Sequence, residues 1–155
     1  MPTLWMMIGV PGAGKSTWIA NQNFDWSKTA IISTDNIIDQ RAAEQGKTYS
    51  DVFQKEIKSA TAEMNSNLQY AIKNNMDIIW DQTNVTAKAR AQKLQNIPST
   101  YKKIAVFFAT PDRAELTARL GKRQGKNIPY NIVMSMISQL QPPTYEEGWD
   151  EIIKP

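Results

Sequence analysis

The eight residues Gly9–Ser16 (GVPGAGKS) constrain the fold of this chain more than any other segment. They fit the pattern GxxxxGK[ST] at every fixed position. In that pattern the glycines let successive backbone N–H groups turn toward one anion, and the helix that follows presents its N-terminus to the same anion. The apolar run Thr3–Ile8 precedes the loop and is typical of a buried parallel strand. The sequence therefore predicts a strand, a phosphate-binding loop and a helix in succession.

Individual positions of the loop have distinct expected roles in nucleotide binding. Lys15 is placed to reach the β- and γ-phosphates, and the hydroxyl of Ser16 can ligate Mg²⁺. ATP and Mg²⁺ are therefore the predicted cofactors, although the sequence does not separate ATP from GTP. The loop residues predicted to contact the nucleotide are Gly9, Pro11, Gly12, Ala13, Gly14, Lys15, Ser16 and Thr17.

Apolar runs of strand length alternate with helical patterns along the chain. The predicted strands are Thr3–Ile8, Ala30–Ser33, Asp77–Asp81, Lys102–Ala109 and a last edge strand, Asp150–Ile153. Six helices are predicted. The first follows the phosphate loop, the second ends near Ala43, and the third runs from a Ser50 cap to about Asn75. The fourth covers Lys88–Leu94, the fifth begins at Pro111 and continues through Arg123, and the sixth lies around Ile132–Leu140.

This alternation predicts an α/β fold of the P-loop NTPase and kinase type. We expect a mainly parallel sheet sandwiched by helices, with a lid that bears Arg119 and Arg123. The chain has 155 residues, the size of one ordinary domain, so residues 1–155 are predicted to form a single domain.

The chain contains no histidine and no cysteine. This excludes imidazole general bases, Ser-His-Asp triads, disulfides and thiolate metal sites, so acid–base chemistry must use Asp, Glu, Lys or Tyr. No apolar run approaches the roughly 18–20 residues that span a bilayer, and the N-terminal residues lack the features of a signal peptide. A cytoplasmic location and no membrane partner are the resulting expectations.

Basic residues are concentrated in the segment 86–126. Its only acids are Asp112 and Glu115, and its ten basic residues are Lys88, Arg90, Lys93, Lys102, Lys103, Arg113, Arg119, Lys122, Arg123 and Lys126. Such a segment suits a polyanionic ligand, but solvated helix faces explain the same charges equally well.

Two aspartates follow predicted strands at the edge of the sheet where the phosphate loop lies. Asp35 follows the second strand and Asp81 ends the third, and ligands of parallel sheets bind at these carboxyl ends. Asp35 can take a proton from an acceptor hydroxyl, or it can simply cap the next helix. Asp81 can position Mg²⁺ or orient the acceptor.

The remaining motifs favour a kinase over other P-loop classes. The chain has no Asn-Lys-x-Asp motif of a switch GTPase, and Gln82 occupies the place where an ATPase usually has its catalytic glutamate. Arg119 and Arg123 are four residues apart, so they are predicted to share one helix face above the transferring phosphate.

These features together resemble the polynucleotide 5′-hydroxyl kinase family, which includes the phage enzyme and the kinase domain of the mammalian polynucleotide kinase/phosphatase. The residues that carry the resemblance, in chain order, are Gly9–Trp18, Asp35, Asp81-Gln-Thr-Asn84, Arg119-x-x-x-Arg123 and Pro143–Trp149. It implies ATP-dependent phosphorylation of a 5′-hydroxyl on DNA or RNA, so a nucleic acid 5′ end is the expected partner.

The resemblance also implies a role for each site residue. Asp35 would be the general base, Lys15 and Arg123 would stabilise the transferring phosphoryl group, and Arg119 would support the lid. Ser16 and Asp81 are the predicted metal ligands. The predicted acceptor-binding set is Asp35, Asp81, Thr83, Asn84 and Arg90.

Two departures leave the acceptor open. Many family members carry an arginine three residues after the aspartate, where this chain has Ile38, with Arg41 one turn later; Ser33-Thr34 replaces their Asn-Arg. Three segments, Asp81–Val85, Gly125-Lys126 and Trp149–Ile152, also resemble the kinase-like domain of heterogeneous nuclear ribonucleoprotein U, which lacks the equivalent of Asp35. A small-molecule kinase and a non-catalytic, nucleotide-gated RNA-binding module therefore remain as alternatives.

Overall fold

A computed structural model describes residues 1–155, and its centre is a five-stranded, fully parallel β-sheet. The strands are β1 (Thr3–Ile8), β2 (Thr29–Ile32), β3 (Asp77–Trp80), β4 (Lys102–Phe107) and β5 (Glu151–Ile153). They lie in the order β2-β3-β1-β4-β5, with β1 at the centre. The predicted α/β fold with a parallel sheet is confirmed, and each strand begins within one residue of its predicted start.

Six α-helices and one short 3₁₀ turn connect these strands. The helices are α1 (Lys15–Ala20), α2 (Thr34–Glu44), α3 (Tyr49–Lys73), α4 (Ala87–Leu94), α5 (Arg113–Gly121) and α6 (Tyr130–Gln139), and the turn covers Tyr145–Glu147. None of the helices combines the length and the apolar character that crossing a bilayer requires.

Two of the predicted helix starts are wrong. The cap of α3 is Thr48 rather than Ser50: its hydroxyl accepts from the amide of Asp51, and the Asp51 carboxylate accepts from the amide of Thr48. This reciprocal pair satisfies two amides that have no partner inside the helix. Helix α5 begins at Arg113 instead of Pro111, because Asp112 caps it through the amide of Glu115.

The side chains of the central strand alternate between the two faces of the sheet, as the pleat of a strand requires. Leu4 and Met6 enter a large apolar cluster formed with α2 and α3, where Ile38 and Leu68 are also buried. Met7 enters a smaller cluster on the opposite face, against α1 and Phe108. Burial on both faces explains why the strand sequence is almost continuously apolar, and it fixes the position of the loop that leaves β1.

Candidate functional site

A cleft of about 800 Å³ opens at the carboxyl ends of the strands. The sheet order places the loop after β1 beside the residues that follow β3, and β2 lies next in the sheet. The cleft is lined by Pro11–Trp18, Asp35, Asn36, Asp39, Asp81, Gln82, Thr83, Phe108, Arg119, Lys122, Arg123, Lys126, Ile128 and Pro155. The structure therefore brings together the predicted phosphate loop, both aspartates and both arginines.

The loop after β1 has the backbone shape of a phosphate cradle. Gly12 and Gly14 have φ angles of 83° and 105°, a region that residues with a Cβ rarely adopt. A Cβ on Gly12 would also lie 3.0 Å from the side chain of Leu116 on α5. The first amides of α1 have no partner inside the helix and follow directly from this turn. The local sequence thus produces a concave surface of N–H donors.

The side chain of Lys15 lies inside this loop. Its Nζ donates to the carbonyl oxygens of Gly9 and Val10 at 2.8 and 2.9 Å. Burial lowers the pKa of Lys15 to about 8, while the nearby Asp81 carboxylate favours its charged form and Arg123 disfavours it. An anion in the cleft would favour the charged ammonium, because it compensates the cost of burial.

The two arginines differ in how completely their hydrogen-bonding capacity is used. Nε of Arg119 donates to Glu115 at 2.7 Å, and its Nη1 donates to the carbonyl oxygen of Gly12 at 3.0 Å. Nη1 of Arg123 is buried and has no hydrogen-bond partner. A buried donor without a partner costs free energy, so this guanidinium has capacity for an anion.

The prediction that both arginines share one helix face is wrong. Helix α5 ends at Gly121, and Arg123 lies in the turn that follows, where its amide donates to the carbonyl oxygen of Leu120 at 3.2 Å. Arg119 therefore enters the cleft from helix α5, whereas Arg123 enters it from the turn after the helix.

Asp35 lies in the first turn of α2, which Ser33 caps through the amide of Asn36. The hydroxyl of Tyr49 donates to its Oδ1 at 2.7 Å, and Nζ of Lys126 lies 3.2 Å from its Oδ2. Neither partner was predicted. The only signal in the sequence was that Lys126 belongs to the basic segment 86–126.

Asp81 and Ser16 both line the cleft and offer oxygen ligands there. Burial raises the pKa of Asp81, and the charge of Lys15 acts in the opposite direction. The described residues contain no group of three or more acidic, His or Cys side chains that could hold a metal ion by themselves. One hydroxyl and one carboxylate beside a phosphate cradle fit Mg²⁺, which commonly takes few protein ligands and completes its shell with phosphate and water.

Thr83 lines the cleft and also contacts the phosphate loop, whereas Asn84 is not part of the cleft lining. The carbonyl oxygen of Thr83 accepts from the amide of Gly9 at 2.9 Å. The side-chain Nδ2 of Asn84 donates to the carbonyl oxygen of Met7 at 2.8 Å, and its Oδ1 accepts from Nζ of Lys93. Asn84 is 3% exposed. These contacts hold β3 against β1, so we assign Asn84 a supporting position.

Arg90 was predicted to contact the acceptor, but the structure places it elsewhere. Its side chain is fully buried and makes two parallel hydrogen bonds to Glu147, from Nε at 2.7 Å and from Nη2 at 3.0 Å. Its Nη1 donates to the carbonyl oxygen of Asn84 at 2.9 Å. Arg90 therefore anchors the segment before β5 and does not line the cleft, which corrects the prediction.

Neither of the two α2 positions considered for a cation that binds the acceptor, Ile38 and Arg41, places a cation in the cleft. Ile38 is fully buried in the core. Arg41 is paired with Glu56 at 2.7 Å and with Glu63 at 3.3 Å, both on α3. The side of the cleft formed by α2 instead contributes the carboxylates of Asp35 and Asp39.

The order of the sheet, the cradle and the cleft define a P-loop kinase fold. A family model described as an AAA domain matches residues 4–143, and the chain belongs to that family.

Solved structures have the same fold at low sequence identity. A candidate kinase from Chloroflexus aurantiacus superimposes with a TM-score of 0.69 at 16% identity, covering 99% of this chain and 84% of that one. A chain of the Pnkp1/Rnl/Hen1 RNA repair complex gives 0.65 at 23% identity, covering 90% of this chain and 44% of that one. Shikimate kinase from Acinetobacter baumannii gives 0.55 at 14% identity, covering 100% and 84%. This chain thus spans less than half of the RNA repair chain.

Proposed function

We propose that this protein transfers the γ-phosphoryl group of ATP, bound with Mg²⁺, to a hydroxyl acceptor. The observation that carries the proposal is a single cleft lined by the phosphate cradle, by a guanidinium that has one buried nitrogen without a partner, and by a half-exposed carboxylate. Phosphoryl transfer needs these three components: a bound donor, cations for the charge of the transferring group, and a base for the acceptor.

The donor side of the cleft suits a triphosphate. The amides of the Gly12–Ser16 turn would bind phosphate oxygens, and Lys15 would exchange its loop carbonyl partners for the β- and γ-phosphates. The unpaired Nη1 of Arg123 would donate to the transferring group. Ser16 and Asp81 would hold Mg²⁺, which supplies charge neutralisation of the phosphates when it is bound.

The acceptor side of the cleft supplies the base. The Asp35 carboxylate would take the proton of the acceptor hydroxyl as that oxygen forms its bond to the γ-phosphorus. The bond from the γ-phosphorus to the oxygen that bridges it to the β-phosphate breaks, and ADP leaves. Positioning and charge stabilisation supply most of the rate enhancement in this reaction class.

The 5′-hydroxyl of DNA or RNA is our leading acceptor. It is supported by the ordered motif set of Gly9–Ser16, Asp35, Asp81 and Arg123, and by the likeness to a chain of an RNA repair complex. The basic residues of segment 86–126 support it only in part. Four of the ten line the cleft, namely Arg119, Lys122, Arg123 and Lys126, whereas Arg90 is buried in an internal ion pair.

A small hydroxylated metabolite is the second candidate. It is favoured because α2 supplies no free cation next to Asp35: Ile38 is buried, and Arg41 is occupied by Glu56 and Glu63. A nucleic acid acceptor carries phosphate next to its terminal nucleoside, whereas a neutral polyol needs no such cation. The fold is also compatible with this class, since shikimate kinase superimposes on the whole chain.

A panel of acceptors tests the proposal. The protein is incubated with Mg²⁺ and γ-labelled ATP, together with 5′-hydroxyl DNA and RNA oligonucleotides or with pooled sugars, nucleosides and hydroxy acids. We expect label on an oligonucleotide. Label on a metabolite alone would select the second candidate, and ATP binding without label on any acceptor would support a non-catalytic binding module and contradict the proposal. Lys15→Met, purified in the same way, controls for a contaminating kinase.

A further inference from the structure

The loop between α5 and α6 is docked onto the beginning of α3. The carbonyl oxygen of Gly125 accepts from the amide of Ser50 at 2.9 Å, and the hydroxyl of Ser50 accepts from the amide of Asn127 at 2.9 Å. Gly125 has a φ of 69°, and a Cβ at this position would lie 2.6 Å from the Cβ of Thr48. Only glycine satisfies both the backbone conformation and the close approach.

This docking fixes the position of Lys126, the residue between the two contacts. Its side chain is 12% exposed, and its Nζ lies 3.2 Å from Asp35 and 3.9 Å from Asp39. The same Nζ is 4.3 Å from the centroid of the Tyr49 ring. A cation that is paired with a carboxylate and packed on an aromatic ring has little positional freedom.

Both oxygens of Asp35 therefore have a partner from a different element. Tyr49 on α3 holds Oδ1, and Lys126 from the loop holds Oδ2. Burial, together with the hydrogen bond to Asp35, raises the pKa of Tyr49, so its hydroxyl remains a donor at neutral pH. A carboxylate has about four lone-pair sites, and Asp35 is 50% exposed, so it can still accept a hydroxyl proton from the cleft.

Resting on the proposed role of Asp35 as general base, we propose that Lys126 and Tyr49 are positioning residues that orient its carboxylate toward the acceptor, and that docking of Gly125 on α3 places Lys126 for this task. The alternative is that Lys126 acts directly on the phosphates, because it also lines the phosphate cleft. The two possibilities differ in whether the effect of Lys126 depends on the presence of Asp35.

A double-mutant cycle tests this proposal. In the wild-type background, Lys126→Met and Tyr49→Phe should each lower kcat by about 10- to 100-fold, because each removes a charge-assisted hydrogen bond to the base. The apparent affinity for ATP should change by less than about threefold. Lys126→Arg should restore part of the loss, since it keeps a cationic donor. Lys88→Met, an exposed lysine on α4, serves as the matched charge control and should behave as wild type.

The same substitutions are then measured under single-turnover conditions in an Asp35→Ala background. There Lys126→Met should cost less than about threefold, because the side chain it orients is gone. Gly125→Ala should reproduce the loss of Lys126→Met and add little to it in the double variant. Thermal unfolding of every variant identifies any loss that reflects instability.

Three results would overturn the proposal: no effect of Lys126→Met, a loss of equal size with and without Asp35, or a loss from Gly125→Ala that adds fully to that of Lys126→Met. Absence of transfer by the wild-type protein to any acceptor would instead refute the proposed function, and this inference with it. The two failures are therefore distinguishable.

Discussion

Two pairs of basic residues from the same part of the sequence have opposite environments in the fold. Arg90 and Lys93, on α4, are absent from the cleft lining and donate to Glu147, Gln82 and Asn84. Arg123 and Lys126, in the loop after α5, line the cleft. All four count equally toward the basic character of the segment 86–126, yet only the second pair faces the space where a substrate would bind.

This comparison shows that the hydrogen-bond partners of a basic side chain indicate its function better than its mere presence in a basic segment. All three nitrogens of the Arg90 guanidinium donate to the protein itself, and the side chain has no exposed surface. Arg123 keeps a buried nitrogen without a partner, although such an atom costs stability. We therefore expect substitutions in the first pair to alter stability and substitutions in the second pair to alter activity.

The largest effect is expected at Arg123. Arg123→Met should lower kcat by about 10³-fold or more, since an arginine that stabilises a transferring phosphoryl group is worth that much. Its free energy of unfolding should stay near that of the wild type, because the lost group is poorly partnered in the free protein. Steady-state kinetics and urea unfolding of the same preparation measure both quantities.

Arg113→Met is the matched control for Arg123. Arg113 belongs to the same segment but packs over the ring of Tyr130, at 5.4 Å, outside the phosphate cleft. A loss of activity at Arg113 equal to that at Arg123 would remove the distinction between cleft cations and other cations.

Arg90→Met should lower the free energy of unfolding by an amount comparable to the activation free energy that Arg123→Met adds to catalysis. Arg90→Met removes two hydrogen bonds to the Glu147 carboxylate and one to the carbonyl oxygen of Asn84, and breaking one side of a buried ion pair costs about 3–5 kcal/mol. Burial of Glu147 alone would raise its pKa, but the hydrogen bonds from Arg90 hold it below its ordinary value. Urea unfolding measures the loss, while kcat per folded molecule should be unchanged.

The control for Arg90 is a surface ion pair. Lys102 and Glu151 are 3.5 Å apart and about half exposed, so Lys102→Met should cost less than about 1 kcal/mol. Equal losses at Lys102 and Arg90 would contradict the assignment of Arg90 to the core.

The smallest effect is a pH dependence at Lys93. Burial lowers the pKa of Lys93 to about 8 from an ordinary value of 10.5. Between these pH values the unfolded chain retains a proton that the folded protein releases, so this group makes the protein more stable as the pH rises. The free energy of unfolding of the wild type, minus that of Lys93→Met, should increase by about 1–3 kcal/mol from pH 8 to pH 10. A constant or falling difference in urea unfolding would contradict this.

The sequence predicted the fold and the location of the site because both depend on local patterns. Apolar runs marked the strands, and the fixed spacing of Gly9–Ser16 marked the cradle. Asp35 and Asp81 were located correctly because the carboxyl ends of parallel strands meet at one edge. The exit of the chain from α5 before Arg123 was missed, because helical spacing alone does not show where a helix ends.

The partners of the basic residues could not be predicted, because they lie far apart in the chain. Arg90 and Glu147 are separated by 57 positions, and Lys126 and Asp35 by 91. Their contacts depend on how α4 packs beside the segment before β5 and on how the Gly125 loop docks on α3. A local pattern contains no information about either arrangement, so Arg90 was placed in the acceptor site and Tyr49 was overlooked.

The central claim is that the cleft performs phosphoryl transfer with Asp35 as the base. The most direct test measures ATP affinity and γ-phosphoryl transfer for the wild type and for Asp35→Asn, which keeps the size of the side chain. ATP affinity should change by less than about threefold, while transfer should fall by about 10²–10⁴-fold. Transfer by Asp35→Asn at the wild-type rate would contradict the account.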